Sequence, residues 1–304
     1  KKMGKRKKLV IILWIISMVY PQDTEGWKWI ETLPKPWLLS QEEITKILPE
    51  FHNQFPNFQE RLKAFSLWQL GKPYEAFKLG EEIDPDPDPI IRLDVSDCTV
   101  HVLTSLAFSQ STSWDEAKEK MIRIHYKDQK PSFMSRWHFT TDRILLNPST
   151  VNITEELISK DSLTFVQINL NRKENGEEFL DLNWEQKILI GFIPNEKINQ
   201  KLLNSLPEIS GVCFIKKSYF KMGIAVAHEG MLIDQKNLIH ASSEYGKTVN
   251  IDFMDYYFRE NGAVFDGVLI YKFLPLGAVP VAGFQPSLPP IGPILVSFPR
   301  SLRS

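Results

Sequence analysis

Apolar positions recur at helical spacing through the first half of the chain and at strand spacing through the second. Ser40-Gln41-Glu42-Glu43 has capping-box form and predicts a helix running into Ile44, Ile47 and Leu48. A second helix is expected from about Asn57 to Leu70, with Gly71 and Pro73 as its stop signal. The stretch from Cys98 to about Phe108 is apolar on most sides, so it predicts a buried helix. Ser113-Trp114-Asp115-Glu116 opens another, through Ile122.

From about Leu163 the pattern changes. Leu163–Leu170, Ile188–Ile193, Gly211–Ile215, Gly223–Ile233, Leu238–Ser242 and Val268–Phe273 are short and rich in β-branched residues, so they predict strands. Helices are expected to interrupt them at about Glu196–Leu206 and Ile251–Asn261. Helices first and an antiparallel sheet afterwards give an α+β class. Residues 81–90 (EEIDPDPDPI) read as a solvated acidic loop, since they lack the glycine and distal glutamate of an EF-hand.

Charge refines this at the ends. The 304 residues carry 36 Lys+Arg against 37 Asp+Glu, a net of −1, which leaves no excess of cations for a nucleic-acid partner. Six of those cations fall in the first eight residues, so the remainder holds 30 against 37, a net of −7. The basic run is followed by Leu9–Tyr20, twelve uncharged residues. That is the form of a secretory leader, short for a membrane-spanning helix and without an Ala-x-Ala cleavage site. Residues 1–22 are therefore expected to be a signal peptide or an N-terminal membrane anchor. The main domain is expected over 23–274. Seven of the twenty prolines lie in 275–304, which reads as an irregular tail.

Only Cys98 and Cys213 are present, too few for a disulfide scaffold or a four-cysteine zinc site. Cys213 sits in apolar Val212-Cys213-Phe214-Ile215 and reads as core. Cys98 follows Asp97, a natural N-cap, so it opens a helix whose free N–H groups favour a thiolate. The helix end supplies about 0.3–1 kcal/mol. Lowering a thiol from about 8.5 to about 5 takes roughly 4–5 kcal/mol, so a histidine has to supply the rest. His228 and His240 lie twelve residues apart on successive strands. A hairpin tip centred on Asp234 places them directly opposite one another. A tip between Gln235 and Lys236 puts them on opposite faces. The first register is expected, with one histidine as base and the other orienting it. His101, one helical turn from Cys98, reads as a neighbour, because a helix N-terminus disfavours an imidazolium.

Five segments resemble the papain-like NlpC-type cell-wall cysteine hydrolases, in their N-acetylmuramoyl-L-alanine-amidase-like branch. They are Leu70-Gly71-Lys72-Pro73-Tyr74, Asp97-Cys98-Thr99, Arg136-Trp137-His138-Phe139, Ala227-His228-Glu229-Gly230 and His240-Ala241-Ser242-Ser243, in matching order over roughly residues 60–273. The resemblance implies a papain-like fold with the nucleophile-bearing helix packed on an antiparallel sheet, behind an N-terminal helical extension. It implies Cys98 as nucleophile, His228 as general base and His240 as the orienting third member. Tyr74, Arg136 and His138 are the implied substrate contacts, though Arg136 and His138 equally suit loop carbonyls. The implied reaction cuts the amide between N-acetylmuramic acid and L-alanine in peptidoglycan fragments, through a thioester and without a metal or other cofactor. A monomer is expected, exported to the periplasm or held on the outer face of the inner membrane. The alternatives are a stem-peptide endopeptidase of the same fold, a non-catalytic wall-binding module, and a zinc site built from Cys98, His228 and His240. The chain departs from the family pattern at Val100-His101, at Val212 and near Arg143.

Overall fold

The computed structural model describes residues 24–278. The leader and nearly all of the Pro-rich tail expected from the sequence lie outside the described residues.

The helices are α1 (Thr24–Thr32), α2 (Gln41–Gln54), α3 (Phe58–Trp68), α4 (Cys98–Phe108), α5 (Trp114–His125), α6 (Thr140–Leu146), α7 (Thr154–Leu157), α8 (Gln200–Leu203) and α9 (Phe253–Tyr257). The strands are β1 (Thr150–Asn152), β2 (Thr164–Leu170), β3 (Gln186–Pro194), β4 (Ile209–Ile215), β5 (Val226–Ile233), β6 (Asn237–Ser242), β7 (Lys247–Asp252), β8 (Phe258–Arg259), β9 (Gly262–Ala263) and β10 (Gly267–Phe273). The class is α+β, as expected. The main sheet is antiparallel, in the order β2-β3-β10-β4-β5-β6-β7, with β1 also paired to β10.

The expected box forms at Ser40, while at Ser113 only half of it does, since Glu116 turns to the Thr112 N–H. Ser40 and Glu43 exchange hydrogen bonds across the first turn of α2, and the Asn57 side chain accepts from Gln59 and Glu60 N–H at the start of α3. The central strand β4 is buried at every residue and divides two apolar layers. On one side Cys213, Ile215, Met231, Ile239 and Leu269 pack with α3, α4 and α5. On the other, Val212, Phe214, Leu232, Leu238 and Ile270 pack with Leu202, Phe253 and Tyr257.

Two expectations are corrected. The helix expected over Ile251–Asn261 is only α9, because Lys247–Asp252 is a strand paired to β6 and Asp252 caps the helix that follows. Cross-strand pairing there overrides the local pattern. The helix expected over Glu196–Leu206 is a 3-10 turn and then the four-residue α8, restarted by the Asn199 cap. The acidic loop is more than a solvated one: Glu81 is buried, and Asp86 and Asp88 pair with Arg136 and Arg92.

Candidate active site

The site lies where α4 begins, at the end of the β5–β6 ladder. Asp97 caps α4 with Oδ1 on the Val100 N–H at 2.9 Å, while Oδ2 accepts the Phe77 N–H at 2.8 Å. One carboxylate thus joins the nucleophile helix to the loop that follows Tyr74. Phe77 is held at φ 57° with its side chain exposed. Cys98 opens the helix, half-buried. The main-chain N–H of Glu229, close by, favours its thiolate.

His228 and His240 come together, but not in the expected register. The β5–β6 ladder pairs Ile233 with Asn237, Leu232 with Leu238 and Met231 with Ile239, and it ends there. The tip is centred on Gln235, with Asp234 and Gln235 both left-handed. His228 is therefore offset by two residues from the position facing His240. An offset of two keeps both rings on one face, as diagonal neighbours within reach of aromatic side chains. His228 Nε2 and His240 Nδ1 lie 2.7 Å apart. Gly230 lies between them, and a Cβ there would sit 3.0 Å from His240 Cβ. A register shift at Phe214/Ile215, opposite Ala227, bends β5 just before His228. Phe214 stacks under His228 at 5.5 Å, and Tyr256 lies 4.7 Å from the His240 ring. Tyr256 and Tyr74 both lie near enough to Cys98 for it to act on their phenols.

Burial favours the neutral form of all three groups. Burial, with the Asp97 and Glu229 carboxylates adding to it, pushes the Cys98 thiol up to about 12. Burial brings His228 down to about 3 and His240 to about 4. Desolvation here opposes the helix terminus, which supplies only tenths of a kcal/mol to about 1. His101 is wholly buried, bonded through Nε2 to Ser66 Oγ at 3.0 Å. Burial and Lys72 hold it well below the usual range.

Under the thiol lies a buried ion pair. Arg143 Nη2 meets both Glu229 oxygens, at 2.8 and 2.6 Å, Tyr271 OH donates to Oε2 at 3.1 Å, and Thr99 Oγ1 donates to Oε1 at 2.8 Å. Tyr271 reaches it across Gly211, where a Cβ would lie 1.9 Å from the ring.

With the site in place, sequence comparison is decisive at the family level. Residues 64–263 match the AmiA-like family, described as N-acetylmuramoyl-L-alanine amidase-like. The chain belongs to that family. An amidase-type hydrolase of the cell wall is the class this membership carries. No curated protein matches significantly.

Among solved structures, the amidase-like chain is similar to a Legionella pneumophila protein of the DUF1460 family, with 20% identity and TM-score 0.64 over 77% of this chain and 94% of that one. It is also similar to a Bacteroides uniformis N-acetylmuramoyl-L-alanine amidase, with 20% identity and TM-score 0.57 over 71% and 99%. A Bacteroides fragilis protein, proposed to be a xylanase, matches at 20% identity and TM-score 0.56 over 69% and 99%. At these identities the likeness is one of fold.

The other expected contacts of this amidase-like chain have partners of their own. Arg136 is buried against Glu81, at 2.6 and 2.7 Å, and Asp86, at 2.9 Å. His138 Nε2 meets the Phe133 carbonyl at 2.6 Å. Both thus brace the loops beside α5. Cys213 is core, and both cysteines are free thiols. Among the described residues no three His, Cys, Asp or Glu side chains are grouped to hold a metal ion. The sequence reading missed Glu229, Arg143 and Tyr271. Its available signal was a charge inside an apolar strand, as in Ala227-His228-Glu229-Gly230-Met231-Leu232, which calls for a buried partner.

Proposed function

We propose that the chain is a papain-like, NlpC-type cysteine amidase, cutting the N-acetylmuramoyl–L-alanine bond of peptidoglycan fragments with Cys98, His228 and His240. The observation that carries this is the imidazole pair, at 2.7 Å, followed on β5 by Glu229, whose carboxylate accepts from Thr99, the residue after Cys98, at 2.8 Å.

The pair uses Nε2 of His228, which leaves Nδ1 outside it. In the catalytic tautomer His228 donates from Nε2–H to His240 Nδ1, so its Nδ1 is the free base. Because burial favours the neutral groups, the Sγ proton passes to His228 as sulfur attacks the lactyl carbonyl, and His240 stabilises the imidazolium by accepting its Nε2–H. The Cys98 main-chain N–H, one of the unpaired donors at the start of α4, faces the developing oxyanion. His228 then returns the proton to the L-alanine nitrogen as the C–N bond breaks. Water, deprotonated by the same ring, cleaves the thioester and restores the thiol. Tyr74 and Tyr256 flank the reacting sulfur. Arg136 and His138 act at one remove by holding the loops. The basic and apolar leader places the enzyme outside the cytoplasm in this reading.

The test is digestion of purified muropeptides with products identified by mass, alongside Cys98→Ala. A free peptide beginning with L-alanine and an intact amino sugar, both lost in the variant, is the expected result. Cuts between stem-peptide residues would make it an endopeptidase. No cleavage, or cleavage by Cys98→Ala, would overturn the nucleophile assignment.

A further inference from the structure

We propose that Thr99 is a positioning residue: through Glu229 it fixes the first turn of the nucleophile helix, and with it the Cys98 sulfur, against the strand that bears His228. The proposal rests on Cys98 being the nucleophile.

Glu229 follows His228 on β5 and engages α4 twice. Its main-chain N–H favours the Cys98 thiolate, and its carboxylate accepts from Thr99 Oγ1 at 2.8 Å. The carboxylate is itself fixed from behind by Arg143 of α6 and Tyr271 of β10. Every lone-pair direction of this buried group is thereby used, and Thr99 is the one partner that belongs to the nucleophile helix. A buried ion pair is no route to stability, because well-packed apolar residues of the same volume do as well or better. What it does supply is direction. Arg143, through Nη2 on both oxygens, ties the carboxylate to α6, and Tyr271 ties it to β10. The threonine hydroxyl then sets the rotation of the first helical turn relative to β5. An error of about 1 Å in such a placement costs on the order of a hundredfold in rate.

The experiment compares Thr99→Val, which keeps the shape and removes the donor, with Thr99→Ser, which keeps the donor. Thr99→Ala serves as a second deletion should valine crowd the turn. Muropeptide hydrolysis and iodoacetamide alkylation of Cys98 against pH are measured on each. Thr99→Val is expected to lose at least about tenfold in kcat with KM held. Its alkylation profile moves to higher pH, and Thr99→Ser returns both towards wild type. Wild-type kcat and alkylation in Thr99→Val would overturn the proposal. So would a serine variant no better than valine, or a loss of melting temperature alone. If the wild type cleaves no muropeptide while Thr99→Val still slows alkylation, the substrate reading fails and the positioning role stands.

Discussion

Gly230→Ala tests the idea that the His228–His240 pair depends on a missing side chain. The new Cβ would lie 2.8 Å from Leu238 Cδ1 and 3.0 Å from both His240 Cβ and the Ile239 carbonyl oxygen. Carbon atoms pack best at about 3.5–4.0 Å, so His240 Cβ has to retreat by roughly 0.5–1 Å. Leu238 can turn its methyl away. The other two atoms are main chain or attached directly to it, and β7 pairs with β6 behind them. The imidazole contact starts at 2.7 Å, so the same retreat carries it beyond the range of about 3.2 Å in which such a bond is effective. Crowding of this kind costs about 1–3 kcal/mol, and a domain of this size loses about 2–4 °C of melting temperature per kcal/mol. The kinetic loss is larger, on the order of a hundredfold in kcat, because the base loses its orientation. Thermal melting and initial rates on a muropeptide give both numbers. A variant that melts within about 1 °C of wild type and keeps its kcat would refute the reasoning.

Arg143→Met leaves Glu229 as a buried, unpaired charge and is expected to cost about 3–5 kcal/mol, measured by urea unfolding; a loss under about 1 kcal/mol would mean that water reaches the carboxylate. Gly211→Ala drives a Cβ to 1.9 Å from the Tyr271 ring, so soluble expression should collapse; a well-folded variant with an intact near-UV spectrum would contradict the packing. Burial holds His228 at about 3, His240 at about 4, and His101 and His125 well below the usual range. Unfolded histidines take a proton near 6.5, so the unfolded chain binds more protons between about 4 and 6.5. Stability is therefore fully present above that window and falls as pH drops through it. Asp142, raised to about 6 by burial, and Asp97, also raised, oppose this over part of the window, but His138, lowered to about 4, and His52 add to the four rings. Urea midpoints that rise on acidification would contradict the burial of these rings.

The sequence by itself determined the four helices α2 to α5, because their start signals are local. The Ser40 box and the Asp97 cap each act within a single turn, and both form as written. The parity of His228 and His240 was also legible, since a period of two survives any even error in register. The register itself was not. Three polar residues at the hairpin tip admit several turns, and the choice of Gln235 as centre came with packing against β4 and β7. Only the tertiary structure decided the strand at Lys247–Asp252, which exists because β6 offers it a ladder. It also decided that burial raises the thiol. A cysteine at a helix start looks acidic until burial and two carboxylates from distant or neighbouring chain are counted. The Glu229–Arg143 pair spans 86 positions along the chain. Each charge looks out of place in its own apolar segment, and the partner that justifies it appears only when the fold removes both from water.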